Sequence, residues 1–266
     1  MISICAVIAV RNEQKYLEIL LPILANQNID VVIIDNDSND DSQILFDEFA
    51  GKPIIAVEHL PYHGYFSLVE QLEIKQRVYN TISHDWVIHH DADEILESCK
   101  PGFSLREAIQ EASDHKYDVI NFDEFVFLPE PGFNSGNYYS NMLQYYFFEP
   151  QKNRLNRAWR RNKFLNNLQS GGHQLFSDQE IAIFPVNHIL RHYIVLSYQH
   201  ALNKYLDRTF DPKEIAKGWH SNRLNFNENN LRIPSESEFI FHLDSFDSKN
   251  FCRNNPTNKH FWDWGK

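Results

Sequence analysis

The sequence predicts an α/β fold built on a mostly parallel sheet that is flanked by helices. Short runs rich in β-branched residues alternate with longer amphipathic stretches through residues 1–125, which is the pattern of strands joined by helices. Polar residues follow directly after several of these runs, as expected where strands end in an open parallel sheet. Nowhere do about 18 apolar residues follow one another, so we expect no membrane-spanning helix.

Five apolar runs are predicted to be strands, and the stretches between them to be helices. The strands are Ile2–Val10, Asp30–Ile34, Ile54–Glu58, Trp86–His90 and Val119–Phe122. Leucines at helical spacing between residues 17 and 24 predict a first helix, with Asn12 as its N-cap and Pro22 kinking or splitting it. Apolar residues at the same spacing over 68–82 and 105–112 predict two further helices.

The pattern changes after residue 125 to aromatic and polar loops. We interpret residues 125–190 as a substrate-facing insert with short strands at 163–165 and 173–176. The aromatic run over 138–148 suits stacking on sugar rings or a hydrophobic core. A C-terminal helix is predicted over residues 197–208, and the Asn-rich tail from 222 is predicted to be irregular.

Composition and charge exclude several classes of protein. The net charge is −11, so a dedicated nucleic-acid binder is not expected, and 42% hydrophobic residues exclude wholesale disorder. The charge is uneven, because residues 1–150 hold 25 acidic and 8 basic side chains, whereas 151–232 hold 6 and 13. Cys5, Cys99 and Cys252 show no CxxC spacing, so we expect a cytoplasmic protein without disulfides or a zinc knuckle.

Asp91 and Asp93 form the most informative motif in the sequence. They follow the buried strand Trp86–His90 as Asp-Ala-Asp-Glu, and pleat geometry places residues i and i+2 on the same side. Two carboxylates held that close repel one another unless a cation or a proton lies between them. A hard divalent ion, Mn²⁺ or Mg²⁺, suits such oxygen ligands and keeps positions open for substrate phosphates.

Three strand endings together resemble a known family. Arg-Asn-Glu at 11–13, Asp-Asn-Asp-Ser at 35–38 and Asp-Ala-Asp-Glu at 91–94 are similar to motifs of the nucleotide-sugar-dependent glycosyltransferases of the GT-A (Rossmann-like) fold, in particular the bacterial family-2-like group. The resemblance covers residues 1–125 well and the rest loosely. It implies a nucleotide-sugar-binding half at 1–125, and an acceptor-binding and C-terminal portion of the same domain at 126–266.

The resemblance also implies which residues bind the donor. Asp35 would contact the base or ribose of a nucleoside diphosphate sugar, with UDP as the expected nucleotide. Asp91 would lie near the ribose, while Arg11 and Asn12 would line the same site. His173, which follows two glycines, would complete the donor site.

For the metal, the resemblance implies Asp91 and Asp93 together with a histidine from the C-terminal part of the chain. His192 precedes the predicted C-terminal helix in a His-Tyr pair that is similar to the corresponding element of the family. His188 is the second choice among the 13 histidines. Their structural alternative is a hydrogen-bonded histidine without a ligand.

A transfer with inversion needs a base that takes the proton of the acceptor hydroxyl. Asp123 and Glu124, at the end of the fifth predicted strand, are the candidates, with Glu149 as a further choice. The Glu-Asp pair that supplies this base in the family is not recognisable here, so the base and the stereochemical course stay open. A retaining enzyme needs no such base.

We therefore expect a metal-dependent glycosyltransferase, of hexosyltransferase type, that acts on a glycan or lipid-linked acceptor, as in lipopolysaccharide biosynthesis. The basic stretch 152–163 suits donor phosphates, an acidic acceptor, the inner face of a membrane, or a solvated surface. The alternatives are a catalytically silent sugar-nucleotide- or glycan-binding protein and a nucleotidylyltransferase. The latter normally carries a Gly-rich loop after the first strand, where this chain has Arg11-Asn12-Glu13-Gln14.

Overall fold

The computed structural model describes residues 1–130, 132–133, 136–163, 165–206, 208–220 and 231–264. In chain order the elements are β1 (Ile4–Val10), α1 (Gln14–Asn26), β2 (Asp30–Asp35), α2 (Ser42–Glu48), β3 (Ile54–His59), α3 (Leu68–Thr81), β4 (Trp86–Asp91), β5 (Glu94–Glu97), α4 (Leu105–Asp114), β6 (Val119–Phe127), α5 (Tyr138–Asn141), β7 (Gln144–Phe148), β8 (Leu155–Arg160), β9 (His188–His192), α6 (Tyr198–Tyr205), α7 (Pro212–Ala216) and β10 (Phe241–His242). Among the described residues, no helix is long and apolar enough to cross a membrane.

The chain forms two compact units. Unit 1 comprises Met1–Tyr62, Leu68–Phe122 and Asn153–Ile189, and unit 2 comprises His63–Ser67, Asp123–Lys152 and Leu190–Lys266. Each unit is thus assembled from segments that are distant in the sequence, and residues 153–189 join the N-terminal strands. The division of labour between a donor-binding half and an acceptor-binding half stays a prediction.

Unit 1 is built on a mostly parallel sheet, which confirms the predicted α/β class. Its strands run β3–β2–β1–β4, all parallel, and continue with β8, which is antiparallel to β4. Residues 119–122 of β6 pair with β8. Helix α3 contacts β1 and β2. The central strands are apolar along nearly their whole length because both faces of such a sheet are covered, and this made them easy to predict.

Helix α1 differs from the prediction at its N-terminus. Asn12 has φ of 58° and lies outside the helix, and Glu13 occupies the cap position without a side-chain cap hydrogen bond. The Asn12 side chain instead exchanges hydrogen bonds with Asn39, at 2.7 Å each, in the loop after β2. Pro22 lies inside α1, and the helix continues past it to Asn26. Of the two predicted effects of Pro22, a kink or a split, the split does not occur.

Two predicted helices are confirmed together with the residues that cap them. Ser104 precedes α4 and forms a capping box with Glu107, in which each side chain bonds the backbone N–H of the other. Ser197 precedes α6, and its side chain accepts a hydrogen bond from the backbone N–H of His200 at 3.0 Å. Hydroxyl caps of this kind set where the two helices begin.

The predicted strands at 163–165 and 173–176 are wrong. Residues 161–163 form one turn of 3₁₀ helix, and 173–176 contribute only the isolated bridge from Asn166 to Phe176. Gly171 and Gly172, at φ 65° and 89°, turn the backbone here, so an extended run cannot form. The Asn-rich stretch 222–230 lies outside the described residues.

Unit 2 holds an aromatic core. Residues 124–127 of β6 pair with β7, and β7 pairs with β10. The side chains of Tyr138 and of all four aromatic residues over 145–148 are buried, whereas Tyr139 is half-buried. The core interpretation of this aromatic run is therefore the one that the structure shows.

Candidate active site

Three strand endings of unit 1 lie side by side at one edge of the sheet. In the pairing of β1 with β2, Val10 is opposite Asp35, and in the pairing of β1 with β4, Ala9 is opposite Asp91. The three strands are parallel, so their carboxyl ends share this edge, where open α/β sheets bind ligands. The structure therefore brings together Arg11, Asp35 and Asp91 as the sequence predicts.

Arg11 is held against the loop that follows β2. Its Nη1 atom donates to the carbonyl oxygens of Asn36 and Asp37 at 2.6 and 2.5 Å, and its guanidinium lies 3.4 Å from the ring centre of Tyr62. Backbone hydrogen bonding from Tyr62, followed by the contact with His59, lowers the pKa of Asp37. A cation stacked on an aromatic ring is thus fixed at this edge of the sheet.

Asn12 and Asp35 stabilise the loops of the same edge. One carboxylate oxygen of Asp35, Oδ1, accepts a hydrogen bond from the backbone N–H of Ser38 at 3.1 Å. The backbone N–H of Asn12 donates to the hydroxyl of Ser38 at 3.0 Å. Asp35 thus stabilises the turn that follows β2, and its side chain is half-buried.

Asp91 is the centre of a charge network that the sequence did not predict. Its Oδ1 atom lies 3.0 Å from Nζ of Lys75, and its Oδ2 atom lies 3.3 Å from Nη2 of Arg157. Lys75 and Arg157 are buried, whereas the Asp91 side chain is 43% exposed. Two buried cations therefore meet one carboxylate at the edge of the sheet.

Burial and charge act on this network in opposite directions. Burial opposes the ionised form of Asp91, but the positive charges of Lys75 and Arg157 outweigh it and hold the pKa of Asp91 well below its ordinary value. Burial also lowers the pKa of Lys75, although the charge of Asp91 opposes this. Burial, reinforced by Lys75, lowers the pKa of His89 well below 6.5. We conclude that Asp91 is ionised and His89 neutral at pH 7.

Arg157 also connects Asp91 with the loop that carries His173. It forms an ion pair with the buried Glu94, and its Nη1 atom donates to the carbonyl oxygen of Gly172 at 3.1 Å. A Cβ atom at Gly172 would lie 3.0 Å from the His89 ring, so only glycine fits here without a shift. His173 follows, with its Nε2 atom 3.3 Å from Nη2 of Arg154.

The predicted metal ligands differ in how well they suit a divalent ion. Asp93 is a half-buried carboxylate that follows Asp91 directly on the chain, and carboxylates suit Mn²⁺ and Mg²⁺. Asp91 suits a cation poorly because Lys75 and Arg157 already contact its two oxygens. In the part of the chain that the structure describes, no three or more His, Cys, Asp or Glu side chains are grouped to hold a metal ion.

Unit 2 contains the two predicted base candidates, and each has a charged or titratable partner. Asp123 accepts a hydrogen bond from Nε of Arg253 at 2.7 Å. Glu124 lies with its Oε1 atom 2.6 Å from Nδ1 of His192. The sequence singled out Glu124 and His192 separately, for different roles, and the structure places them in direct contact.

The basic stretch 152–163 is largely occupied by contacts within unit 1. Arg157 is buried in the network described above, and Arg160 and Arg161 donate to backbone carbonyl oxygens. Lys163 pairs with Asp118 at 3.2 Å. Much of this positive charge therefore supports the fold of unit 1.

Lys75 and Arg157 could have been found from their positions in the sequence. Lys75 lies three residues after Leu72 and four before Tyr79, on the apolar face of the predicted helix. Arg157 alternates with Leu155 and Trp159, which marks the buried face of a strand. A charged residue on a face that is otherwise apolar indicates a buried partner of opposite charge.

Comparisons with known proteins find structural likenesses at low sequence identity. No protein-family model matches the sequence, and no curated protein matches it significantly. Residues 1–349 of S. aureus TarS, also crystallised with UDP-GlcNAc, match with a TM-score of 0.45 and 12% identity over 77% of this chain and 65% of that one. The present chain therefore spans about 65% of the length of that fragment.

Two further solved structures match smaller parts. Glucosyl-3-phosphoglycerate synthase from Mycobacterium tuberculosis, with Mn²⁺, UDP and phosphoglyceric acid, matches with a TM-score of 0.30 and 17% identity over 47% of this chain and 43% of that one. A Bacillus anthracis protein assigned as a glucose-1-phosphate thymidylyltransferase matches with 0.30 and 10% identity over 50% and 62%. Because all these scores lie below 0.5, they carry no argument about activity.

Proposed function

We propose that this protein is a glycosyltransferase that takes a sugar from a nucleoside diphosphate sugar. The observation that carries the proposal is the shared edge of β1, β2 and β4, where Arg11, Asp35 and Asp91 follow adjacent parallel strands. An edge of this kind offers a crevice for a nucleotide. The motifs resemble those of the GT-A family-2-like group, and this supports a sugar nucleotide as the donor. UDP is the expected nucleotide part of the donor.

Within this proposal, the residues of unit 1 bind and orient the donor. Asp35 would accept hydrogen bonds from the base or ribose, and Asn12 and His173 would line the site. The stack of Arg11 on Tyr62 offers a flat cationic surface beside it. Lys75 and Arg157 hold Asp91 in one orientation, because each contacts a different carboxylate oxygen.

Metal dependence is a finer part of the proposal. In unit 1, Asp93 would be a ligand, with Asp91 contributing through its charge, and Mn²⁺ or Mg²⁺ is the expected ion. His192 stays a separate candidate that the resemblance suggests. When bound, a divalent ion neutralises the negative charge that gathers on the leaving diphosphate. A bound Mn²⁺ in the M. tuberculosis synthase is a property of that protein and only motivates the test here.

In the transfer itself, the bond between the sugar and the diphosphate breaks, and its electron pair leaves with the diphosphate. The acceptor oxygen forms the new bond to the anomeric carbon and loses its proton. In an inverting transfer, Asp123 would take that proton. The resemblance and the charge pattern suggest three further proposals. The acceptor would be a glycan or lipid-linked, residues 152–163 would contact a membrane, and the location would be cytoplasmic.

The test is the release of nucleoside diphosphate from a panel of sugar nucleotides, with Mn²⁺, Mg²⁺ or chelator. We expect release with at least one UDP-sugar, and Asp93→Ala should lower turnover at least about 100-fold, because a leaving-group cation contributes several kcal/mol. Asp47→Ala is the matched control, since Asp47 is an exposed carboxylate on α2. Circular dichroism would show that both variants fold.

Three results would change the proposal. Full activity of Asp93→Ala would remove the metal assignment. Donor binding in calorimetry without release or transfer would indicate a sugar-nucleotide-binding protein. Pyrophosphate formation from a nucleoside triphosphate and a sugar phosphate would indicate a nucleotidylyltransferase.

A further inference from the structure

Arg253 of unit 2 is an exposed arginine that is held beside a buried carboxylate. Its side chain is 42% exposed, and its Nε atom donates to Oδ2 of Asp123 at 2.7 Å. Its Nη1 atom donates to the carbonyl oxygen of Phe251 at 3.3 Å, and its guanidinium lies 5.3 Å from the ring centre of Phe125. Three contacts thus fix the direction of the guanidinium, although much of the side chain faces solvent.

The contacts of Arg253 leave part of its hydrogen-bonding capacity for a ligand. A guanidinium has five N–H donors, and the contacts with Asp123 and Phe251 use one on Nε and one on Nη1. Nη2 donates no hydrogen bond to any residue in the described part of the chain. Nη1 and Nη2 together form a planar fork that binds a carboxylate or a phosphate through two parallel hydrogen bonds. The end of this side chain therefore suits an oxyanion, and it lies next to Asp123.

Asp123 is the residue that would take the proton of the acceptor hydroxyl in an inverting transfer. We propose that Arg253 is a specificity-determining residue, which binds an oxyanion on the acceptor and so places a hydroxyl of the same molecule at Asp123. The acceptor is then a hydroxyl compound that carries a phosphate or a carboxylate a few bonds away, as a sugar phosphate or a uronic acid does. The inference rests on the proposed function and narrows its acceptor to anionic compounds.

Arg253 takes no part in the making or breaking of bonds. The acceptor oxygen forms the bond to the anomeric carbon, its proton passes to Asp123, and the diphosphate leaves with the electron pair of the broken bond. The guanidinium stays protonated throughout. Its contribution is to hold the anion of the acceptor, which orients the hydroxyl for the transfer.

Other positive charges of the chain are less suited to this role. Arg191, also in unit 2, lies 5.2 Å from the ring centre of Phe251 and donates to the carbonyl oxygen of Ser248 at 3.1 Å, but it is buried. A ligand from solvent therefore reaches Arg253 and not Arg191. The basic stretch 152–163, where the sequence suggested an acidic acceptor, is largely occupied by contacts within unit 1.

The first experiment measures acceptor binding to the full chain without a donor, by calorimetry and saturation-transfer NMR. The probes are glucose 6-phosphate, glucuronic acid and glycerol 3-phosphate, each compared with glucose or glycerol as its neutral parent. We expect at least one anionic probe to bind about 10-fold more tightly than its parent, because a hydrogen bond to a charged group contributes that much. Comparison of glucose 6-phosphate with glucuronic acid shows which oxyanion is preferred.

Variants then assign this preference to Arg253. Arg253→Gln should bind the anionic probe no better than the neutral parent, and Arg253→Lys, which keeps the charge but not the fork, should recover part of the preference. Arg208→Gln is the matched control, because Arg208 is an arginine of unit 2 that also lies over a phenylalanine ring, 4.1 Å from the centre of Phe66. It should stay within about twofold of the wild type. A partly exposed ion pair adds little to stability, so circular dichroism should show that Arg253→Gln folds.

Two results of these measurements would overturn the proposal. One is a wild-type chain that prefers none of the anionic probes. The other is a preference that survives Arg253→Gln unchanged.

Kinetics with a donor separate this role from a structural one. Arg253→Gln should raise the KM for the anionic acceptor about 10-fold, with a smaller effect on kcat, and should leave the kinetics with the neutral parent unchanged. Equal losses with both acceptors would indicate a structural role and contradict the proposal. Asp123→Asn should lower kcat but keep the binding of the anionic probe. A chain that prefers anionic probes through Arg253 but releases no nucleoside diphosphate from any sugar nucleotide would keep the anion site and lose the glycosyltransferase.

Discussion

The carboxylates of the two units lie against different kinds of partner. In unit 1, Asp91 and Glu94 lie against Arg157, which stays protonated at every pH at which the protein folds. In unit 2, Glu124 and Glu214 lie against histidines, whereas Asp123 lies against Arg253. The charge balance of the unit 1 network is therefore permanent, whereas histidine contacts depend on protonation or on a ligand.

The histidines of the two units also differ in their hydrogen-bond partners. In unit 1, burial lowers the pKa of His188 to about 4, and its Nδ1 atom accepts a hydrogen bond from the backbone N–H of Cys99 at 3.1 Å. His188 is thus held neutral by burial and by a donor that requires its lone pair. His192, four residues later, has its Nδ1 atom 2.6 Å from Oε1 of Glu124 instead. The metal-ligand role that the sequence offers for each of these histidines stays a prediction.

Among the changes that test this contrast between the units, Arg157→Met is expected to have the largest effect on stability. This change leaves the carboxylate of Glu94, which is 1% exposed, without the cation that it pairs with. We expect the free energy of unfolding to fall by about 3–5 kcal/mol, the usual result of removing one partner of a buried ion pair. Urea unfolding followed by circular dichroism measures it.

The double variant Arg157→Met with Glu94→Gln is the control for this prediction. It removes both charges, so the loss should be clearly smaller than in the single variant. If Arg157→Met lost less than about 1 kcal/mol, the network would behave like a surface ion pair and the contrast between the units would fail.

A smaller effect, which depends on pH, is expected for His188→Asn. The unfolded histidine binds a proton near pH 6.5, but the folded one only near pH 4. The unfolded state therefore binds more protons between these values, so the wild type is fully stabilised above pH 6.5 and loses stability as the pH falls to 4. The shift corresponds to roughly 3 kcal/mol.

Urea unfolding at pH 7, 5.5 and 4 compares the two proteins. Asparagine keeps an acceptor for the N–H of Cys99 and does not titrate, so the variant should lose less stability on acidification than the wild type. Identical pH profiles would show that His188 is not held neutral by the fold.

The part of the fold that local patterns determine was predictable. The strands that end at Val10, Asp35 and Asp91 are apolar runs followed by polar residues, and the parallel pairing then places these residues at one edge. The charge network around these residues could not be predicted from local patterns. Lys75 on a helix is 16 residues from Asp91 along the chain, and Arg157 on another strand is 66 residues from it. A single sequence shows which residues are charged, but not which of them meet.

The same limit applies to Glu124 and His192 and to the basic stretch 152–163. Glu124 was a predicted base and His192 a predicted metal ligand, and no local pattern relates two residues 68 positions apart. The basic stretch 152–163 was predicted to bind donor phosphates, an acidic acceptor or a membrane, or else to be a solvated surface, as a run of charges usually is. Its alternation around Arg157 has the period of a strand, and the structure turns that residue inward. Periodicity was the better guide than composition.

The smallest effect is expected for Arg253→Gln, which removes the partly exposed cation that pairs with Asp123 in unit 2. Arg253 is 42% exposed and pairs with Asp123 at 2.7 Å. A partly exposed pair contributes about 0.2–1 kcal/mol and is screened by salt. The difference in the free energy of unfolding between this variant and the wild type, measured in urea, should therefore be small. It should shrink further in 1 M NaCl, about ten times the ionic strength at which the screening length is near 10 Å.

The loss of stability for Arg157→Met should persist in that salt, since water and ions do not reach its partner Glu94. A loss for Arg253→Gln as large and as salt-resistant as that of Arg157→Met would mean that Asp123 is fixed as firmly as Glu94, and would weaken its assignment as a base that must accept a proton from an incoming hydroxyl.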